Sequence, residues 1–390
     1  MRRVGARDRR DAVLAGLVAI ALLGALSGFK ATGMNNFVWL ADAWLHGKPY
    51  LVHPHGPYID AVPYRGHDYV YQAPLPALLL LPLVAIWGLS ANQTAVAIVL
   101  TGLGIYGAWL VARACGASRP WTALLCAFLL FGTSYAYCGA TGDVWFIAHS
   151  GAVAFTMLAL VECLGACAPW RVALWALCAG FCRYPMMLAI PAYALALAPR
   201  IAQRPQSLAP AALVAALFAL PSAWYNEIRW GTVVDVGFTK FYRIMDVGRV
   251  DPTPPFALRD LPMQLHFYLL ARPELIGRAP FLVAGRFGTA LTWTSPPLLV
   301  ALFAPIRERV VQMLWFAAFC CAIPALLYYS RGAVQLGVRH ALDFIPFLYA
   351  LMARAIATRP SPWYLPLFVW SIAFGVVELG VWMRAPQLVP

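Results

Sequence analysis

The chain has 390 residues, of which 62% are hydrophobic and only 12% are charged. A soluble globular domain carries about 45–50% apolar and about 25% charged residues, so this composition excludes an ordinary soluble fold and indicates a protein of the lipid bilayer. The formal net charge of +13 does not indicate nucleic-acid binding, because the basic residues are scattered between apolar runs and form no basic stripe.

The apolar runs predict an all-α polytopic membrane protein with about eleven transmembrane helices. The first span follows the basic start MRRVGARDRR and covers residues 12–29. It is long for a signal peptide and no A-x-A cleavage site follows, so we expect a retained helix. The other spans are predicted at residues 93–112, 121–138, 144–166, 170–183, 185–198, 208–225, 289–305, 310–329, 342–357 and 361–383.

Two apolar elements lie in the first outer loop, which covers about residues 30–92. Residues 36–46 have the period of an amphipathic helix on the membrane surface. Residues 74–88 are apolar but short and contain three prolines, which predicts a re-entrant half-helix. The apolar face of the first element is formed by Phe37, Leu40, Ala41, Trp44 and Leu45.

The distribution of arginines supports this topology. If residues 74–88 do not cross, every second short loop is basic, as the positive-inside rule requires, and the N-terminus is cytoplasmic. We therefore predict one integral membrane domain over residues 1–390, with a second long outer loop at about residues 226–288. The arginines on the inner side are then Arg2, Arg3, Arg7, Arg9, Arg10, Arg113, Arg119, Arg171, Arg200, Arg204, Arg307, Arg309, Arg354 and Arg359.

Carboxylates on the outer side are candidates for a general base. Asp60 and Asp68 lie in the first outer loop, where each can equally be a solvated loop residue. Asp143 begins the span at 144–166 and either caps that helix or faces a cavity. His53 and His55 form an H-x-H pattern that is weak evidence for a metal, and no metal or other cofactor is predicted. The nine cysteines fall in or beside apolar spans and are expected to pack as small apolar side chains.

Two arginines on the outer side are candidates for binding an anion. Arg183 lies between two short helices at a Tyr-Pro step, and an arginine at membrane depth is by default a functional candidate, although it can also reach the headgroups. Its natural partner is a phosphate or a carboxylate. Arg339 and Asp343 are four residues apart and would pair if that turn were helical, or Arg339 would serve an anionic headgroup. His149 is expected to pack.

Five short patterns, in this order along nearly the whole chain, resemble the GT-C superfamily of membrane glycosyltransferases. The resemblance is greatest to bacterial relatives of the protein mannosyltransferases (glycosyltransferase family 39-like) and of the lipid A aminoarabinose transferases. The patterns are LADAWLHG at 40–47, YVYQAPLPA at 69–77 with a later Leu-Pro and Gly88, YNEIRWG at 225–231 with a later Asp and Gly-Phe, TSPP at 294–297, and GVRHALDFIP at 337–346.

This resemblance implies a GT-C-like bundle that transfers a sugar from a polyprenyl-phosphate donor to a glycan, lipid or protein acceptor on the non-cytoplasmic face, in a bacterial inner membrane. An aspartate of the first outer loop would act as base. The family often has an acid just before the first-loop helix, where this chain has Asn35 and Asn36. Asp60 is therefore the replacement candidate, with Asp68 and Asp143 next. The candidate phosphate ligands are Arg183, Arg339 and His340, supported by Tyr225, Asn226, Arg229 and Asp343.

Two alternatives remain open at the sequence level. One is a transporter or flippase, but the two halves show no internal repeat and the polar groups gather at one end. The other is a non-catalytic scaffold or assembly subunit, which the two asparagines at 35 and 36 favour.

Overall fold

A computed structural model describes residues 4–53, 60–245 and 254–389 of the chain. His55 and the first three residues, including Arg2 and Arg3, lie outside the described residues. Within these ranges the protein is almost entirely helical, with two short β-hairpins on loops.

The first half of the chain supplies nine helices in the described ranges. Hairpin β1–β2 pairs Val62 with Tyr69 in antiparallel register and separates the second helix from the third. The elements are α1 (Ala6–Ser27), α2 (Asn36–Leu45), β1 (Val62–Tyr64), β2 (His67–Tyr69), α3 (Leu75–Trp87), α4 (Gln93–Cys115), α5 (Arg119–Phe131), α6 (Tyr135–Thr141), α7 (Val144–Leu164), α8 (Pro169–Cys182) and α9 (Ile190–Gln203).

The second half contains the long outer loop and the last helices. Hairpin β3–β4 lies within that loop, and residues 255–257 pair with the end of the fourteenth helix through Ala257 and Tyr329. The elements are α10 (Leu208–Trp230), α11 (Gly237–Met245), α12 (Leu261–Leu270), β3 (Glu274–Leu275), β4 (Leu282–Val283), α13 (Leu291–Thr294), α14 (Arg309–Leu327), α15 (Ile345–Thr358) and α16 (Leu365–Arg384).

Several helices are long and apolar enough to cross a membrane, so the chain is a multi-pass integral membrane protein. In the described residues seven helices meet this standard, and the bent pair α5–α6 raises the number to eight. The predicted count of about eleven is not confirmed. The seven are Ala6–Ser27, Gln93–Cys115, Val144–Leu164, Tyr184–Gln203, Pro205–Trp230, Arg309–Leu327 and Pro362–Arg384.

One predicted span, residues 289–305, is not a continuous α-helix. The structure gives the four-residue helix α13 and then a 3₁₀ segment over Pro296–Phe303. Pro296 and Pro297 have no N–H to donate, so they interrupt the α-helical hydrogen bonds at this point. The apolar pattern reports burial and length, but it does not report this change of helix type.

The first-loop helix α2 is observed, but its environment differs from the predicted surface helix. Asn36 and Asp42, on its polar side, are buried, whereas Leu45 on the expected apolar face is exposed. The helix packs against α3, which covers it within the protein. The half-helix α3 has 13 residues, which at 1.5 Å per residue is too short to cross about 30 Å of hydrocarbon.

The core is built around α4 and α7, which pack against each other and are largely buried. Close approach of α1 to α4 depends on two glycines. A Cβ on Gly16 would lie 2.9 Å from the carbonyl oxygen of Gly102, and the reverse distance is the same. Small residues at such crossings let backbones meet in a membrane protein. Seven of the nine cysteines are buried among these helices, as expected of packing residues.

A buried ion pair fixes the end of this core that carries the N-terminus. Arg113 donates through Nε to Oδ1 of Asp8 at 2.9 Å, and both residues are 3% exposed. Arg113 also donates to the carbonyl oxygen of Ala117. Arg119 pairs nearby with Asp11 at 2.8 Å but is one-third exposed.

Replacing Arg113 with Met is expected to destabilise the protein by about 3–5 kcal/mol, because it removes the buried ion pair that Arg113 forms with Asp8 at 2.9 Å. Thermal unfolding of the purified protein in detergent measures the change. Arg119→Met is the matched control, with an expected loss of about 0–1 kcal/mol since that pair is partly solvated. Equal melting temperatures for Arg113→Met and wild type would contradict the assigned role.

Candidate functional site

The candidate site lies at the other end of α4 and α7, where the first loop crosses the helix ends. The N–H of Val144 donates to the carbonyl oxygen of Met34 at 3.0 Å. Gln93, at the start of α4, donates through Nε2 to the carbonyl oxygen of Gly142 at 2.7 Å. Asn36 donates through Nδ2 to the carbonyl oxygen of Asp60 at 3.2 Å. These contacts place Asp60 directly beside the start of α2.

Asp60 is a carboxylate of this region that is held by several hydrogen bonds, and it is 3% exposed. Its Oδ2 atom accepts three hydrogen bonds, from the Tyr71 hydroxyl at 2.9 Å, from Nε2 of Gln72 at 2.7 Å and from Nε1 of Trp145 at 2.6 Å. No described residue donates to Oδ1. One oxygen is therefore anchored and the other remains able to accept a proton. We call these four residues the Asp60 pocket.

Burial raises the pKa of Asp60 above its ordinary value. The hydrogen bonds from Tyr71 and Trp145 and the positive charge of Arg339 oppose this effect without cancelling it. Desolvation disfavours the charged form of a carboxyl group, whereas donors and nearby cations favour it. A carboxylate with a raised pKa that is still ionised at neutral pH is a stronger base than a solvated aspartate.

Asp143 lies next to this pocket and is not a side-chain cap of α7. Its carboxylate accepts a hydrogen bond from the Thr32 hydroxyl, while only its backbone carbonyl accepts from the N–H groups of Phe146 and Ile147. Burial raises the pKa of Asp143, and the Thr32 hydroxyl and the charge of Arg339 oppose the shift. The side-chain cap is therefore not observed, and the other alternative, a carboxylate that faces a cavity, stays a prediction.

The positive charge of Arg339 acts on both carboxylates, since it lowers the pKa of Asp60 and of Asp143 against the effect of burial. It is 9% exposed, donates through Nη1 to the carbonyl oxygen of Ala333 at 3.1 Å, and lies 5.5 Å from the centre of the Phe146 ring. Among the described residues, no carboxylate oxygen lies within 4.0 Å of its guanidinium. Arg339 is thus a buried cation with spare hydrogen-bond donors.

The expected pairing of Arg339 with Asp343 is wrong. Residues Arg339–Asp343 form a 3₁₀ helix, in which residues three apart share a face, so side chains four apart diverge. Asp343 instead accepts from Arg183, through Nε at 2.6 Å and Nη2 at 2.7 Å. His149 completes this Asp343 cluster, since its Nδ1 atom lies 3.6 Å from Oδ1 of Asp343.

The Asp343 cluster also holds His340, whose Nδ1 atom lies 3.3 Å from Nη2 of Arg183. Burial alone would raise the pKa of Asp343, but the guanidinium of Arg183, with its two hydrogen bonds, holds that pKa well below its ordinary value. Burial, followed by the charges of Arg339 and Arg183, lowers the pKa of His340 well below its ordinary value. His340 is therefore neutral at physiological pH, and the charge of Arg183 is largely balanced.

A third group of polar residues gathers around Asp235 in the second outer loop. Arg229 donates to Oδ1 of Asn226 at 2.7 Å, to the carbonyl oxygen of Val70 at 3.0 Å and to Asp235 at 3.2 Å. Tyr184 donates its hydroxyl to Asp235 at 2.7 Å. These hydrogen bonds join the second outer loop to Tyr184, which follows Arg183, and to Val70, which precedes Tyr71.

The remaining predicted residues lie around these groups. The Arg229 guanidinium lies 4.0 Å from the centre of the Tyr225 ring, and this ring meets Trp44 edge-on at 5.5 Å. Asp68 lies in β2, on the opposite face of the hairpin from Tyr69. Among the predicted residues, Arg183 contacts His340 and Asp343, and Arg229 contacts Asn226 and the ring of Tyr225. The roles predicted for them in a site stay predictions.

An apolar groove of about 370 Å³ leads to the Asp235 group. It lies between α8 and α10, and its polar end is formed by Tyr184, Asn226 and Asp235. The other residues that line it are Leu177, Phe181, Met187, Ala215, Phe218, Ala219, Ser222, Ala223 and Val233.

Sequence reasoning missed four residues that organise the site. Tyr71, Gln72 and Trp145 hold Asp60, and Asp235 gathers the second loop. Asp235 could have been selected, because it is an acid inside the pattern that follows YNEIRWG. Tyr71 and Gln72 lie inside the pattern YVYQAPLPA, but nothing in that pattern indicates that they bind Asp60. Trp145 lies outside the quoted patterns, and its role depends on a contact that sequence spacing does not encode.

Comparison with known proteins identifies the type of fold. No family model matches the sequence, and no curated protein matches it. The crystal structure of ArnT from Cupriavidus metallidurans bound to undecaprenyl phosphate is similar, with a TM-score of 0.54 and 15% sequence identity, over 93% of this chain and 62% of that chain. At this identity the likeness concerns the fold alone, and it supports a GT-C-like fold for this chain. The chain corresponds to only part of the length of ArnT, and membership of the glycosyltransferase superfamily stays a prediction.

Proposed function

We propose that the protein is a membrane glycosyltransferase that moves a sugar from a polyprenyl-phosphate donor to a hydroxyl acceptor on the non-cytoplasmic face. One observation carries this proposal: the buried carboxylate of Asp60 has one oxygen without a donor among the described residues, and it lies within the electrostatic influence of Arg339, a buried guanidinium that has no carboxylate partner among those residues. A base opposite a cation is what displacement of a phosphate from an anomeric carbon requires.

Asp60 is the proposed base. Its free Oδ1 atom takes the proton of the acceptor hydroxyl while the acceptor oxygen attacks the anomeric carbon. The bond between that carbon and the donor phosphate oxygen breaks, and the bonding electrons leave with the polyprenyl phosphate. The carbonyl of Asp60 is held by Asn36, so the acid lies close to the position where the family often carries one. Asp143 and Asp68 remain the next candidates for the base.

Arg339 is the proposed ligand of the leaving phosphate. Its charge is not balanced by an ion pair in the described residues, whereas the charge of Arg183 is balanced by Asp343. Guanidinium groups bind phosphate oxygens through parallel hydrogen bonds. Arg183 and His340 are proposed as further ligands of the phosphate; His340 adjoins Arg339 in the sequence, and Asp343 fixes the position of Arg183.

The groove between α8 and α10 is the proposed path of the polyprenyl chain. Its walls are apolar and its polar end adjoins Tyr184, the residue next to Arg183. The ArnT structure binds undecaprenyl phosphate, a lipid of this chemical class. We place the protein in a bacterial inner membrane with its N-terminus in the cytoplasm, since the arginine-rich loops lie opposite the candidate site.

The test is a transfer assay with the purified wild-type protein in lipid nanodiscs. Polyprenyl-phosphate-linked sugars are supplied with hydroxyl-bearing glycan, lipid and peptide acceptors, and the products are identified by mass spectrometry. Transfer with at least one donor, and none from the matching nucleotide sugars, is the expected result. Absence of transfer with all donors and acceptors, together with no binding of undecaprenyl phosphate, would overturn the proposal and favour a scaffold or assembly subunit. Accumulation of a labelled solute in proteoliposomes would favour a transporter.

A further inference from the structure

A further polar cluster lies at the C-terminal end of α2, outside the three groups described above. Asp42 is in the last turn of this helix, and His46 follows the helix by one residue. His53 approaches from the next stretch of the first outer loop. The three side chains offer one ligand atom each, and all of these atoms lie within 4.8 Å of one another.

The distances match a small metal site. Nε2 of His53 lies 3.0 Å from Oδ2 of Asp42, and Nδ1 of His46 lies 3.6 Å from the same oxygen. In a tetrahedral zinc site with bonds of about 2.0–2.1 Å, adjacent ligand atoms are separated by roughly 3.3 Å. Only small movements are therefore needed to place an ion between these groups.

The buried carboxylate oxygen Oδ2 of Asp42 lacks a hydrogen-bond donor among the described residues. The residue is 7% exposed, and its buried Oδ2 atom accepts no hydrogen bond from the described residues, even from the nearby His53. A buried acceptor left without a hydrogen-bond partner destabilises the folded protein, and a charged acceptor does so more strongly. A cation beside Oδ2 removes that destabilisation.

The position and exposure of the ligands also fit a cation. Carbonyl groups at the C-terminal end of a helix carry partial negative charge. Asp42 and His46 are four residues apart, so they lie on one face of the helix. The side chains of His46 and His53 are about half exposed, at 58% and 46%, which leaves room for water to complete the coordination.

We propose that Asp42, His46 and His53 form a binding site for a divalent transition-metal ion of the Zn²⁺ type. Two imidazoles and one carboxylate are a donor set that zinc accepts, with a water molecule as the fourth ligand. Asp42 binds through Oδ2 and His53 through Nε2. The Nδ1 atom of His46 lies 2.8 Å from the carbonyl oxygen of Asp42, so that contact either orients His46 for binding through Nε2 or is exchanged for the metal.

A bound ion would cross-link two parts of the first outer loop. The ion joins the loop at His53 to the helix that carries Asn36, and Asn36 holds the backbone of Asp60. The site does not depend on the proposed transferase activity, because metal binding is measured directly. It refines the sequence prediction, in which the H-x-H pattern of His53 and His55 was the only sign of a metal.

The test uses the full-length protein in detergent, purified with a tag that contains no histidine and treated with a chelator. Zn²⁺ is titrated by calorimetry, and the bound metal is counted by plasma mass spectrometry after gel filtration. We expect one ion per chain for wild type, a rise in melting temperature on binding, and at least tenfold weaker binding for His53→Ala and Asp42→Asn. Co²⁺ substitution is expected to give a visible absorption band, which both variants lose.

The matched control is His266→Ala, which removes an exposed histidine from α12 in the other outer loop and should bind like wild type. Gel filtration and circular dichroism establish that each variant is folded. Equal metal content in wild type, His53→Ala and Asp42→Asn, or no metal in folded wild type, would overturn the proposal. Binding that persists in His46→Ala but not in His53→Ala would limit the ligands to Asp42 and His53 and refute the three-residue site.

Discussion

Replacing Asp60 with Asn is expected to lower the rate of sugar transfer by about 10²–10⁴-fold, the usual contribution of a general base. The substitution is nearly isosteric. All three donors of the Asp60 pocket point at Oδ2, so the amide oxygen of Asn can accept the same hydrogen bonds, and its NH₂ group replaces the oxygen that has no donor. The variant is therefore expected to fold, bind donor and fail in proton transfer. Initial rates with saturating donor measure the loss.

The pH dependence separates a base from a purely structural residue. A base acts only when deprotonated, so the rate should fall as the pH falls through the pKa of Asp60. Because burial raises this pKa, the acid limb should lie at a higher pH than for a solvated aspartate, and the residual activity of Asp60→Asn should lack that limb. Asp68→Asn tests the other candidate of the first outer loop, and it should keep both the rate and the pH profile if Asp60 is the base. A loss with Asp143→Asn but not with Asp60→Asn would move the base to Asp143.

A good part of the fold could be predicted from the sequence, because each membrane helix is marked by its own run of apolar residues. A run of apolar residues has no favourable alternative to a helix in lipid, so the runs that begin near Gln93 and Val144 correspond to long helices. The break at Arg183 was also predictable, since Pro185 lies two residues further on. In the structure the backbone at Arg183 is extended, and α8 ends there. The total number of spans could not be predicted as well, because bent helices, short helices and 3₁₀ segments have the same apolar composition as full spans.

The contacts of the candidate site could not be predicted in the same way. Asp60 is held by Trp145, which is 85 residues away, and Asp343 by Arg183, which is 160 residues away. Such partners depend on how the helices cross, and sequence spacing carries no information about that. The expected Arg339–Asp343 pair shows the error that results, since a rule for α-helices was applied to a segment that forms a 3₁₀ helix. The sequence predicted that these polar groups gather at one end of the helices, and the side of the membrane on which that end lies stays a prediction.

Arg339 provides the second sharp test, because its proposed role differs from that of Arg183. Arg183→Gln would leave Asp343 buried without its main ionic partner, and this is expected to cost about 3–5 kcal/mol of stability. Arg339→Gln removes a cation that has no carboxylate partner in the described residues, and it gives up one hydrogen bond to the carbonyl oxygen of Ala333 and the contact with Phe146. The second variant should therefore fold well enough for its kinetics to be measured.

Arg339→Gln is expected to lower kcat/KM by about 10²–10³-fold, the size found when a donor to a developing negative charge is removed. Most of the loss should be in kcat, because the leaving phosphate gains its second charge only as the bond to the sugar breaks. The same substitution removes a positive charge that lowers the pKa of Asp60, so the acid limb should also move to higher pH. Arg331→Gln, an exposed arginine of the same outer turn, should change neither. A normal kcat with an unmoved acid limb in Arg339→Gln would show that this guanidinium faces neither the phosphate nor the base.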